Sequence, residues 1–144
     1  MSEPRQLVEQ HYRNMNEQTW DREREVLSPD VITVVPGGTH TGIEPFLDFA
    51  RGFWQGFPDA RLEPSLFIEQ GNRVVVEGHF VGTNTGSLPM PTGELPATGR
   101  RLNLPYCDVF EIEAGRIVAH RLYEDQMEFA AQLGLLPDPA SAQA

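Results

Sequence analysis

The hydrophobic residues change period near the middle of the chain. In the first half they recur at helical spacing. Leu7, Val8, His11, Tyr12 and Met15 fall on one face of a helix. Ser2 can cap that helix, and Pro4 sits in its first turn, where a missing N–H does no harm. Thr19 can cap a short second helix over Trp20 to Leu27, which Ser28-Pro29-Asp30 stops. The β-branched run Val31 to Val35 reads as a buried strand, broken by Pro36-Gly37-Gly38. Thr41-Gly42-Ile43-Glu44 has the spacing of a capping box. Behind it, Ile43, Phe46, Leu47, Ala50, Phe53, Trp54 and Phe57 predict a helix that Pro58 ends.

The second half alternates instead. Arg61 to Glu69, Arg73 to Thr83, Leu102 to Glu113 and Arg116 to Tyr123 read as strands, with hairpin turns at Gly71-Asn72 and Ala114-Gly115. Gly86 to Gly99 is rich in Pro, Gly and Thr and reads as a long loop or rim. A short helix from Gln126 to Leu133 closes the chain, with Gly134 at its C-cap and Pro137 beyond. Helices followed by antiparallel strands predict an α+β domain, a curved sheet wrapped like a cone around its helices. A cone packed shut at one end leaves a pocket at the other. One domain over residues 1–137 and a flexible tail over 138–144 are expected.

Composition narrows the chemistry. The 144 residues carry 21 acidic and 11 basic side chains, a net charge of -10. Such a surface repels phosphate backbones and anionic membranes, so neither nucleic acid nor membrane is the expected partner. All the cations are Arg. Without Lys there is no Schiff base, no pyridoxal phosphate linkage and no P-loop lysine. A single Cys, Cys107, excludes an internal disulfide. No stretch approaches the ~20 apolar residues of a membrane span, and Met1 to Trp20 shows no secretory h-region, so a cytoplasmic protein is expected.

The last hairpin carries the candidate chemistry. With a symmetric turn at Ala114-Gly115, Ile112 faces Ile117, Phe110 faces Ala119, Asp108 faces Arg121, Tyr106 faces Tyr123 and Leu104 faces Asp125. This face is mostly apolar and should point inward. Asp108 and Arg121 would satisfy each other there, as part of a site or as a plain cross-strand ion pair. Asp125 would stand at the pocket mouth, where desolvation raises a carboxyl toward the range of a neutral-pH general acid/base. It could equally cap the last helix, and a one-residue bulge would change the whole register.

Other candidates are weaker. Tyr12, Trp54, His79, Asn84, Tyr106 and Tyr123 are the residues placed to bind substrate, although a core Tyr or Trp and a strand His are more often structural. The four His show no metal-ligand spacing, so no metal is expected, and no cofactor motif is present. Gly82-Thr83-Asn84-Thr85-Gly86 is not a dinucleotide fingerprint, since its spacing is wrong and no helix follows. Cys107 lies on the face opposite Asp125 in this register and is a poor nucleophile candidate. The outer face, with Cys107, Val109, Val118, His120 and Leu122, is apolar enough to predict a homodimer.

The element order, Tyr12, Gly82-Thr83-Asn84-Thr85-Gly86, Ala97-Thr98-Gly99-Arg100, Phe110 to Ile117 and the ending Asp125 with Gln132-Leu133-Gly134-Leu135 together resemble the NTF2-like superfamily. Within it they resemble the SnoaL-like polyketide cyclases. The resemblance implies a cofactor-independent cyclase or isomerase acting on a small apolar carbonyl compound. Asp125 would be the general acid/base of an enolate mechanism, with Arg121 and Asp108 in support. It also implies a pocket tyrosine at Tyr12, and Asn84 stands where relatives often have His. Two other readings stay open. A non-catalytic binding module would have its pocket filled by Trp54, Phe80 and Phe110, whereas a carboxylate-lined cavity of about 300 Å³ or more would favour an enzyme. An Asp108–Arg121–Asp125 arrangement could instead imitate an epoxide hydrolase of the superfamily.

Overall fold

The computed structural model describes residues 3–136, so Ser2, Pro137 and the 138–144 tail lie outside the described residues. The amphipathic first segment forms α1 (Glu3–Glu17). It buries Val8, His11, Tyr12, Asn14 and Met15. Trp20–Glu25 is a single 3-10 stretch rather than a helix reaching Leu27. The chain then runs directly into β1 (Leu27–Val35), so Ser28-Pro29-Asp30 is strand and not a stop. β2 (Gly38–Thr41) turns back on it, a short strand that the Gly/Thr composition concealed. Because Thr41 belongs to β2, the N-cap of α2 (Ile43–Gly56) is Gly42 and the capping box does not form.

The alternating half forms β3 (Arg61–Gln70), β4 (Arg73–Thr83), β7 (Arg101–Glu113) and β8 (Arg116–Glu124), followed by α3 (Gln126–Gln132). Within the expected rim loop lies a small hairpin, β5 (Leu88–Met90) and β6 (Gly93–Leu95). The main sheet has the order β2-β1-β8-β7-β4-β3. All neighbours are antiparallel except β1 and β8, which run parallel. Its concave face carries Val74, Val76, Leu102, Leu104, Tyr106, Phe110 and Ile117, all buried against the helices. α1 packs on β3, β4 and β8, and α2 on β1 and β5. This is the α+β cone expected from the residue pattern.

One irregularity decides what the cone encloses. The turn at Ala114-Gly115 has positive φ at both positions (50° and 73°), the twist that suits a two-residue hairpin. Glu113 pairs with Arg116 and Ile112 with Ile117, as the symmetric turn requires. Beyond that the register slips by one: Glu111 faces Ala119, Phe110 faces His120, Asp108 faces Leu122 and Tyr106 faces Glu124. Val118 is the extra residue of a β-bulge. A slip of one residue exchanges the two faces of a strand. β1 is irregular at the same place, stepping from Leu27 to Ile32 while β8 steps from Ile117 to Ala119. Pro29 lies in that interval and has no N–H to give the ladder.

Candidate active site

Between the sheet and the helices lies a chamber of about 60 Å³. Met15, Phe46, Trp54, Leu62, Phe80 and Leu104 wall it, with Tyr106, Asp108, Leu122 and Glu124 on its sheet side. Outside it, a groove of about 540 Å³ runs between the β1–β2 turn, α2, the β5 edge and the start of α3. Phe49, Phe53, Glu124 and Phe129 line both spaces. The outer groove exceeds the 300 Å³ that would favour an enzyme, whereas the interior itself is nearly filled, as a binding module would have it.

Glu124 is the carboxylate at this neck. The bulge turns it inward, opposite Tyr106. Burial raises its pKa to about 7 from the ordinary 4.5; a hydrogen bond from Gln126 opposes the rise and the Asp108 charge adds to it. A carboxyl that changes state near neutral pH, on the wall of an apolar pocket, has the property wanted in a general acid/base.

Deeper in, Asp108 is buried and fully engaged. Its Oδ1 pairs with His120 Nε2 at 2.9 Å, and its Oδ2 accepts a short hydrogen bond from the Tyr12 hydroxyl. His120 stacks on Phe110 with ring centroids 4.5 Å apart. Behind it, His11 Nδ1 lies 2.6 Å from Glu23 Oε2, and Asn14 Nδ2 donates to Glu23 Oε1 at 2.9 Å. Burial disfavours the His11 cation. The Glu23 charge and hydrogen bond, with a smaller push from Asp108, outweigh that and raise its pKa. The Tyr12 and Tyr106 hydroxyls are held protonated by burial first and the Asp108 charge second. Two buried carboxylates are thus each shared between a histidine and a neutral side chain, the arrangement that makes buried charge tolerable.

The expected site divides accordingly. Tyr12, Trp54, Tyr106 and Asp108 are brought together inside the cone, Tyr12 through its bond to Asp108. Arg121 is not. The slipped register puts it on the convex face, where Nη1 meets Glu111 Oε2 at 2.8 Å, so the Asp108–Arg121 pair does not form. The same pair anchors the epoxide-hydrolase arrangement, which falls with it. Tyr123 moves outward too and is 55% exposed. Asp125 does not face Leu104. It caps α3, accepting from the Met127 and Glu128 amides at 2.9 and 3.0 Å, and lines neither space. His79 is exposed and bonds Asn103. Asn84 is fully buried outside both spaces and ties the rim together: it donates to the Gly56 and Gly86 carbonyls and accepts from Thr98. Conversely, His120 and Leu122, assigned to the outer face, lie inside.

Glu124, His120, His11 and Glu23 were missed. The signal for the first two is Ile117-Val118-Ala119, three apolar residues in a row that break the alternation where the bulge sits. Among the described residues no three His, Cys, Asp or Glu side chains form a metal-binding group. No described helix is long and apolar enough to cross a membrane.

A curved sheet around helices, open at one end onto a carboxylate-bearing pocket, defines the NTF2-like class of folds. Within that class the chain belongs to the SnoaL-like polyketide cyclase family, whose model matches residues 6–133. Solved structures share the fold. TsrD from Streptomyces laurentii superposes with a TM-score of 0.80 at 27% identity, over 93% of this chain and 96% of that one. A SnoaL-like protein from Jannaschia sp. CCS1 gives 0.82 at 19% identity, covering 94% of each chain. IdmH from Streptomyces antibioticus gives 0.77 at 23% identity, over 91% and 98%. Among curated proteins nothing matches.

Proposed function

We propose that the protein is a cofactor-independent cyclase or isomerase of small apolar carbonyl compounds, and that Glu124 is its general acid/base. The observation that carries this is the position of one carboxyl, half-neutralised near pH 7, on the wall shared by chamber and groove. In its ionised form Glu124 takes a proton from carbon next to a carbonyl. The C–H electron pair becomes the C=C of an enolate, and the negative charge moves to the carbonyl oxygen. The enolate carbon then attacks a second carbonyl of the same molecule, and Glu124 returns its proton to the new alkoxide. No electrons are gained or lost, so no redox partner is needed. The absence of Lys keeps the route through an enolate and not an imine.

The test needs no natural substrate. 1-Tetralone in D₂O loses its α-proton signal as deuterium enters. Catalysed exchange in the wild type, lost in Glu124→Gln, supports the reading; exchange no faster than in buffer sinks it.

The small chamber favours one alternative, a binding module that holds a ligand in the groove without turning it over. Ligand binding without exchange would mark that case. We also propose that two copies associate through the convex face. There Val34, Arg121, Val109, Val75 and Ile68 form a row across five strands, flanked by exposed Ile32, Leu66 and Tyr123. A monomer by light scattering at micromolar concentration would refute this.

A further inference from the structure

Two residues of the chamber wall carry buried polar groups short of partners, the Trp54 indole without any and the Tyr106 hydroxyl with only the nearby Tyr12 hydroxyl to interact with. Trp54 is 6% exposed and Tyr106 4%, and both line the chamber. The Trp54 indole Nε1 and the Tyr106 hydroxyl are buried and make no hydrogen bond of good geometry with the protein. An indole N–H can only donate. Burying it without an acceptor costs roughly as much as a lost hydrogen bond, so such a group is a place where a ligand atom is expected. The Tyr106 hydroxyl is packed against the backbone at Gly78, where a Cβ would approach it to 2.6 Å. It is therefore fixed in place.

The chamber has no spare acceptor of its own at its floor. Both oxygens of Asp108 are engaged, one by His120 and one by Tyr12. The remaining carboxyl, Glu124, stands at the neck. What the space lacks is an acceptor without a proton to give. Its volume of about 60 Å³ takes little more than two water molecules or one carbonyl-sized head, whereas the adjoining groove takes a ring system.

We infer that the chamber is an oxygen-anchoring subsite, in which the Trp54 indole N–H donates to the carbonyl oxygen of an aryl or alicyclic ketone whose apolar body lies in the groove. This rests on the functional reading above and names the part of the substrate that enters first. It also places the oxygen that turns negative in the enolate beside a preformed donor, in a chamber whose own Asp108 carboxylate is engaged by His120 and Tyr12.

The probes are 1-tetralone and tetralin, which share a bicyclic frame and differ in the carbonyl. The wild type should bind the ketone more tightly than the hydrocarbon. Trp54→Phe should reduce that preference, read as the ratio of ketone to hydrocarbon affinity within each protein, roughly three- to tenfold, the worth of one hydrogen bond. In ¹H–¹⁵N spectra of the wild type, the indole resonance absent from Trp54→Phe should move downfield with 1-tetralone and stay with tetralin. Equal affinity for the two probes, binding of neither, or an indole resonance indifferent to the carbonyl overturns the inference. The spectrum is read on the wild type, so a poorly folded variant does not blur the result. Exchange activity is read separately. Should Glu124→Gln keep its deuterium exchange while ketone preference depends on Trp54, the acid/base assignment fails and the anchor stands. Should exchange require Glu124 while the preference ignores Trp54, the reverse holds.

Discussion

Tyr106 stands opposite Glu124 across the β7–β8 pair, where an uninterrupted hairpin would set Tyr123. One inserted residue, Val118, makes that difference. It also brings His120 onto Asp108 and sends Arg121 out to Glu111. Deleting Val118 should therefore exchange the faces of β8 beyond the turn. Asp108 would lose its histidine and Arg121 would be forced inward. Removing one partner of a buried charged pair typically costs ~3–5 kcal/mol. Urea denaturation should show a loss of at least about 3 kcal/mol, whereas deleting a residue from the Pro91-Thr92 tip of the rim hairpin should cost far less.

The Tyr12–Asp108 bond ties α1 to the sheet. Tyr12→Phe keeps the ring and its contacts with Phe67 and Phe110 but removes the donor. Leaving one oxygen of a buried carboxylate short of a partner should cost about 1–3 kcal/mol in the same experiment. A cost near zero would mean that the hydroxyl is not needed to hold Asp108.

Glu124 makes stability depend on pH. In the unfolded chain it releases its proton near 4.5, and in the folded protein at about 7. Its contribution is fully present below 4.5 and is lost as pH rises through 7, by on the order of 2–3 kcal/mol at most. Glu124→Gln removes that loss. The variant should gain on the wild type between pH 4.5 and pH 8 in paired thermal melts. A constant difference would contradict the raised pKa.

Asp125 should behave as a cap. Asp125→Ala should cost ~1 kcal/mol through the two amides it releases, and ketone exchange should continue. Asp125→Asn, which can still cap, should cost less.

Most of the fold was legible in the sequence, and the reasons are local. The stripe from Ile43 to Phe57 and the turns at Gly71-Asn72 and Ala114-Gly115 follow from side-chain period and turn chemistry, which act over a few residues. The parallel partner of β8 and the short strands at Gly38–Thr41 and in the rim were hidden, since they depend on what lies beside them. Of the expected site residues, Asp108, Tyr12, Trp54 and Tyr106 lie inside the cone because they precede the bulge or lie on helices. Arg121, Tyr123 and Asp125 were misplaced because each lies beyond Val118. The desolvated carboxyl at the end of the last long strand is Glu124 and not the expected Asp125. Polar residues inside α1 and the 3-10 stretch, His11 and Glu23, gave no sign in sequence of pairing across 12 positions.

Which carboxyl the bulge delivers to the wall shared by chamber and groove decides the chemistry of the pocket. Carboxyl carbons of ¹³C-labelled Glu, assigned by the Glu124→Gln spectrum, report this directly as a function of pH. Glu124 should titrate at about 7, well above the other glutamates. A midpoint near the ordinary 4.5 would mean that Glu124 faces solvent and that the slipped β7–β8 register does not hold.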